Sequence, residues 1–260
     1  MTRGGALIGL RVVVVGASSG IGREIAFQLV GCGARVAVAA RRADRLAGLV
    51  GAIPLPCDVR DPLQCEQMVA QAAAACGGLD AVIYATAVTR ITPVDTAAID
   101  EWRAVFETNV FGAALVTRFA IPHLTAQGSA GRAVFLSSDS SDVAFPGLAA
   151  YSASKAALGR FCQGLSDELP AVSATEVVVG PTAGTDIADG FDPELFGVWA
   201  TRWFEEGFVR HAMQQPEDVA RVVLALLQDA SPPRRVFAVG APQVTASLEE
   251  GRRQAEATAP

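Results

Sequence analysis

The chain has 260 residues, of which 51% are hydrophobic and 18% charged, and carries a net charge of −6 at neutral pH. That length suits one α/β domain, residues 1–260, with a large core under a thin polar surface. The acidic balance and the lack of any basic run exclude a nucleic-acid surface, and no run of about eighteen apolar residues suggests a membrane span.

Val12–Val15 is an unbroken β-branched run, the pattern of a parallel strand covered on both faces. Gly16-Ala17-Ser18-Ser19-Gly20-Ile21-Gly22 follows and opens a helix over Gly20–Val30. Strand, glycine turn and helix N-terminus together make an anion site, where free N–H groups and the helix dipole meet a pyrophosphate. A second strand, Arg35–Ala39, runs into Ala40-Arg41-Arg42, and a third, Ile53–Cys57, precedes a helix over Pro62–Cys76. Either Asp58 or Asp61 is placed to cap that helix. Asp80–Tyr84 is the fourth strand. Thr96–Ala126 reads as a long helix broken or bent near Gly112, and Asn109, set among Val105, Phe106, Val110 and Phe111, should be buried and in need of partners.

Ala133–Leu136 is a short buried strand leading to Ser138, and the Ala-rich stretch Ala149–Leu169 is a helix. On it Tyr151 and Lys155 are four residues apart and share a face. An ammonium beside a phenol favours the phenolate, so Lys155 is expected to lower the Tyr151 pKa and prepare it to exchange a proton with an alcohol or carbonyl oxygen. Ser138, thirteen residues before Tyr151, could hold the same oxygen. Thr175–Val179 is a sixth strand, Pro216–Asp229 a helix and Arg235–Val239 an edge strand; the polar tail Glu249–Pro260 is expected to fray. Between them, 186–213 is aromatic, with Phe196, Trp199 and Trp203 at helical spacing. The five cysteines are odd in number and lack a C-x-x-C pair, so they read as buried apolar residues of a reducing compartment. His123 and His211 are isolated, and no metal site is expected. No targeting segment is evident, and a cytoplasmic location is expected.

The ordered Ser138, Tyr151 and Lys155, with G-x-x-x-G-x-G spacing at Gly16, Gly20 and Gly22, resemble the short-chain dehydrogenase/reductase family over nearly the whole chain. The resemblance implies a Rossmann-type, doubly wound parallel sheet of seven strands with a dinucleotide at the strands' carboxyl ends. It implies cofactor contacts from Gly16, Ser18, Ser19, Gly20, Ile21 and Gly22, adenine contacts from Asp58 and Val59, and further contacts from Ala85, Tyr151, Lys155, Thr182 and Thr185. Ala40 stands where an acidic residue would mark NAD(H), and Arg41 and Arg42 follow it. NADP(H) is therefore expected over NAD(H), unless the arginines only cap or solubilise the next helix. In the family the helix asparagine, here Asn109, supports a proton path to the lysine; a purely structural role is the alternative.

Three stretches depart from the family pattern. Tyr84-Ala85-Thr86-Ala87 replaces Asn-Asn-Ala-Gly, Gly180-Pro181 reverses the usual Pro-Gly, and Gly240-Ala241-Pro242 replaces a closing Asp-Gly-Gly. The segment 186–213 corresponds to the family's substrate lid, with Phe145, Phe196, Trp199 and Trp203 as candidate substrate contacts; core packing or a dimer contact is the other reading. The expected activity is hydride transfer between NADP(H) and a carbonyl/alcohol pair on an apolar small molecule. Acids and sugars are disfavoured because the lid's only basic residues are Arg202, Arg210 and His211. A catalytically silent nucleotide-binding regulator and a redox-neutral epimerase or lyase are the alternatives. By analogy the partner is a second copy docked through the Tyr151 helix and its predecessor, a homodimer with a homotetramer as the larger option.

Overall fold

The computed structural model describes residues 7–126 and 131–242; the tail Glu249–Pro260 lies outside them. Seven strands, β1 (Arg11–Val15), β2 (Arg35–Ala40), β3 (Ile53–Pro56), β4 (Ala81–Tyr84), β5 (Gly131–Leu136), β6 (Val172–Val179) and β7 (Arg235–Ala238), form one parallel sheet in the order β3-β2-β1-β4-β5-β6-β7. The chain winds outward from β1 to β3, returns to β4, and winds outward the other way. The switch between β1 and β4 opens a crevice at the strands' carboxyl ends, where ligands bind in such sheets.

The helices are α1 (Gly20–Gly31), α2 (Ala43–Leu46), α3 (Pro62–Cys76), α4 (Ile99–Phe106), α5 (Gly112–Thr125), α6 (Ala149–Glu168), α7 (Pro193–Glu205) and α8 (Pro216–Gln228). The valine run of β1 explains why both sheet faces are covered. Val13 and Val15 enter a core with α3, α5 and α6, while Val12 and Val14 enter a second core with α1 and α8. Alternation along a strand sends neighbouring side chains to opposite faces, so an unbroken apolar run needs a layer on each side.

Asp61 is the residue that caps α3: its carboxylate accepts from the Leu63 and Gln64 N–H groups at 2.9 and 3.2 Å. Asp58 is instead held by the Arg60 guanidinium. The long helix starts at Ile99 rather than Thr96, with Glu101 accepting from the Ala98 N–H at 3.2 Å. It passes through a π-helical turn, Glu107–Phe111, immediately before Gly112, which is the expected break. Contrary to the sequence expectation, Ile99–Thr125 is long and apolar enough, at mean hydropathy 1.3, to cross a membrane by length and composition; its helices pack on α3 and α6 beside the sheet. Strands β5 and β6 begin earlier than their apolar runs because Gly131 and Arg132 pair with Val172 and Ser173. Four of the five cysteines are buried, and all five are free thiols.

Candidate active site

The carboxyl ends of the strands surround a cleft of about 820 Å³. At one end lies the glycine turn. Gly16 adopts φ +96, and a Cβ there would stand 2.6 Å from the Thr86 backbone nitrogen. At Gly22 a Cβ would stand 2.4 Å from the Gly16 carbonyl oxygen. Only glycines let the turn fold back on itself and admit the loop after β4 against it. Ser19, at the N-cap of α1, makes no side-chain cap. The first N–H groups of α1 therefore keep their donors for an anion, and Ser18, Ser19 and Ile21 line the cleft beside them. Arg41, Arg42, Asp58 and Val59 line the adjoining edge. Arg41 makes no hydrogen bond or ion pair among the described residues, whereas Arg42 donates to Ser18 Oγ at 3.2 Å and Asp186 Oδ2 at 2.8 Å.

The altered Tyr84–Ala87 turn has a physical explanation. Tyr84 is buried, and its ring faces the helices rather than the cleft; the hydroxyl donates to the Thr108 carbonyl at 2.5 Å in the π-helical turn. Gly112 leaves room for it, since a Cβ there would be 2.6 Å from the Tyr84 oxygen. Ala85, Thr86 and Ala87 do line the cleft, and no described non-glycine residue has positive φ, so the turn needs no glycine at position 87. Asn109 is fully buried and fixes this loop: its Oδ1 accepts from the Val88 N–H at 2.8 Å, and its Nδ2 donates to the Val88 carbonyl at 3.0 Å and to Ser154 Oγ at 2.9 Å. Asn109 thus ties the loop after β4 to α6, one residue before Lys155, rather than serving only its own helix.

Ser138, Tyr151 and Lys155 all line the middle of the cleft. The Ser138 hydroxyl accepts from the Ser140 N–H and Ser140 Oγ at 3.2 and 3.0 Å and donates to Asp139 Oδ1 at 3.1 Å. One donor and two lone pairs are all a serine hydroxyl has, so Asp139 and the Tyr151 phenol compete for the single Ser138 hydrogen. Lys155 Nζ lies 5.6 Å from the Tyr151 ring centroid and donates to the Leu136 carbonyl at 2.8 Å. The expected lowering of the tyrosine pKa does not occur in this arrangement. Burial pushes the phenol up to about 12; the Ser138 hydroxyl draws it down and the Asp139 carboxylate raises it further. Burial likewise draws Lys155 down to about 8, against the field of Glu176. Desolvation leads both shifts because the two groups are enclosed together. Asp139, not singled out by sequence, is held above the usual carboxylate range by burial, with His211 near enough to oppose the shift.

The far wall is aromatic. Phe145, Phe191, Phe196 and Trp203 face the cleft, with Trp203 edge-on to Phe145 at 5.7 Å and its Nε1 donating to the Pro146 carbonyl at 2.8 Å. Trp199 is a correction. It packs over Gly147, where a Cβ would be 3.0 Å from the indole, with the Arg202 guanidinium 5.4 Å from its ring. Asp192 caps α7 by accepting from the Glu194 and Leu195 N–H groups, and Phe196, Ala200 and Trp203 form the cleft face while Trp199 packs beside it. Trp203, 7% exposed, also belongs to a small core with Ile91, Phe145 and Leu148, so the lid and packing readings meet in one residue. Arg90, from outside the lid, brings a guanidinium to the cleft against Gly190. Thr182 and Thr185 line the cleft too, although their hydroxyls donate to the Gly180 and Thr182 carbonyls.

The sequence model of the short chain dehydrogenase family matches residues 11–194. The chain belongs to the short-chain dehydrogenase/reductase family. An 11-beta-hydroxysteroid dehydrogenase-like protein of Arabidopsis thaliana is 34% identical over 197 residues, which are 72% of this chain and 63% of that protein. The chain thus spans somewhat less than two thirds of that relative. Solved structures match it almost end to end. A short-chain type dehydrogenase/reductase from Mycobacterium marinum is 27% identical at TM-score 0.79, over 92% of this chain and 97% of that one. A short chain dehydrogenase from Burkholderia cenocepacia, solved in complex with NADP, is 29% identical at TM-score 0.75, over 91% and 98%. The family is one of oxidoreductases, and the Burkholderia member holds NADP.

Proposed function

We propose that this protein transfers a hydride between NADP(H) and the carbonyl/alcohol pair of an apolar small molecule. The reading rests on one observation above all: Ser138, Tyr151 and Lys155 meet in a single cleft whose opposite end carries the uncapped α1 N-terminus and the unpaired Arg41. Those donors suit a dinucleotide chemically, and the NADP held by the Burkholderia relative favours the phosphorylated form. The glycine turn and α1 would hold the pyrophosphate, Arg41 and Arg42 the 2′-phosphate, Asp58 and Val59 the adenine, and Ala85 and Lys155 the nicotinamide ribose. Thr182 and Thr185 would serve the carboxamide and a phosphate.

The cofactor supplies the hydride, and the chain's own residues handle the proton. In reduction Tyr151 donates its phenolic proton to the carbonyl oxygen, while Ser138, on letting go of Asp139, donates a hydrogen bond to that oxygen. The Lys155 ammonium then stabilises the phenolate that remains. In oxidation Tyr151 acts in reverse, as the base. With the phenol pushed up to about 12, its resting form at neutral pH is the protonated one, the form that carbonyl reduction needs. The aromatic wall excludes water and suits an apolar ketone or aldehyde. A silent nucleotide-binding regulator is disfavoured, because the altered 84–87 turn serves the helix packing of Tyr84 and leaves the reacting groups intact. The protein is proposed to act in the cytoplasm as a homodimer through α5 and α6.

Following nicotinamide consumption with NADPH and with NADH across a panel of aryl and alkyl carbonyls tests this reading. NADPH should be oxidised faster with at least one apolar carbonyl. A panel without turnover by either cofactor would overturn it.

A further inference from the structure

One carboxylate at the start of the lid pairs with Arg42, at the edge of the cofactor cleft, and with Arg45 behind it. Arg42 lies in the turn between β2 and α2, and Arg45 one turn further on; both donate to Oδ2 of Asp186. Arg42 also reaches Ser18 Oγ in the glycine turn. Asp186 belongs to a distant part of the chain, the short 3-10 turn Asp186–Ala188 that leads to α7. Its neighbour Thr185 lies against the glycine turn, and a Cβ at Gly20 would meet Thr185 Cγ2 at 3.1 Å. The strand-end arginines, the pyrophosphate turn and the first residues of the lid are therefore clasped together across the cleft. The Arg42, Ser19 and Arg45 side chains hold the Asp186 carboxyl below the usual range, so it is an anion at neutral pH.

We propose that Asp186 is a cofactor-selectivity residue: its carboxylate, braced by Arg45, occupies Arg42, one of the two arginines assigned above to the 2′-phosphate, and the phosphate must displace it to bind. The proposal rests on the NADP(H) reading above. A phosphate carries up to two charges and three acceptor oxygens against one charge and two oxygens, so it wins Arg42, though part of its binding free energy goes into breaking the existing pair. A cofactor without the phosphate leaves Asp186 in place and has no such cost. Asp186 therefore narrows the gap between NADPH and NADH below what the arginines alone would set. The pairs are partly exposed, at 43% for Arg42 and 32% for Asp186, and each is correspondingly weak. Asp186 starts the segment that leads to α7, where Trp199 lies over Gly147 and Trp203 is bonded to the Pro146 carbonyl, so tryptophan emission is a readout of its displacement.

The test uses ligands without redox chemistry, adenosine 2′,5′-bisphosphate and adenosine 5′-monophosphate, titrated calorimetrically into the full chain and into Asp186→Asn, Arg42→Ala and the double variant. Asp186→Asn should tighten the bisphosphate by about three- to tenfold while leaving the monophosphate unchanged. In the Arg42→Ala background the same substitution should have a markedly smaller effect, because the contested guanidinium is gone. Tryptophan emission should change on adding the bisphosphate to the wild type and stay constant with the monophosphate. Equal effects of Asp186→Asn on both ligands, or weaker bisphosphate binding, would overturn the proposal and make Asp186 a structural clasp. A wild type that does not distinguish the two ligands, with Arg42→Ala equally indifferent, would instead remove the NADP(H) reading and the proposal with it.

Discussion

Replacing Lys155 with methionine removes a buried ammonium and keeps most of the side-chain length. Burial draws the amine from 10.5 down to about 8, with the Glu176 carboxylate opposing the shift. Between those values the unfolded chain binds the proton and the folded chain does not, so folding stability rises with pH across the interval. The cost of enclosing the charge is fully present below about pH 8 and has gone by about pH 10.5, the opposite of a lysine that gains a partner on folding. At about 1.4 kcal/mol per pH unit, the interval corresponds to about 3 kcal/mol. Urea unfolding of wild type and Lys155→Met in steps from about pH 7 to about pH 10.5 isolates this contribution, because groups such as Tyr151 and Cys162 titrate in both proteins. The stability of the wild type relative to the variant should climb by about that amount. A constant difference would refute the assignment of a desolvated lysine at the base of the site.

Trp203→Ala should cost about 3–5 kcal/mol of stability, since it empties the small core beneath the lid, while Phe196→Ala, 41% exposed on the cleft wall, should raise KM for bulky carbonyls at little cost in melting temperature. Similar melting curves for the two variants would break that division. Tyr84→Phe should cost about 1–3 kcal/mol in urea because the buried Thr108 carbonyl loses its donor; an unchanged midpoint would mean that the π-helical turn does not depend on it. Initial rates should show alcohol oxidation rising with pH, as more of the phenol ionises, with no parallel rise in carbonyl reduction. A reduction rate that climbs with pH would contradict Tyr151 as the proton donor.

Elements whose signals are local were legible from the residues alone. The Val12–Val15 strand, the glycine turn and the helix carrying Tyr151 and Lys155 follow from periodicity and punctuation, and they bring the central residues into one cleft. What was hidden depends on contacts between distant segments. The Trp199 orientation goes with its packing over Gly147, a contact between distant segments that spacing within the helix does not determine. The direction of the Tyr151 shift depends on enclosure, which no residue pattern reports. Arg42 and Asp186 are 144 positions apart, and Tyr84 reads as a lost cofactor contact until its hydroxyl is seen on Thr108. Asp139 and Arg90 do carry a local signal, as charged residues beside Ser138 and the loop after β4, because short flanks of a strand end share its cleft.

The claim at the centre of this account is that the Tyr151 hydroxyl carries the transferred proton. Tyr151→Phe differs from wild type by that one oxygen, so single-turnover NADPH oxidation with the best carbonyl of the panel, measured beside NADPH affinity, addresses it most directly. NADPH binding should be unchanged with nearly all turnover lost. A variant that binds NADPH normally and still turns over at about half the wild-type rate would contradict it.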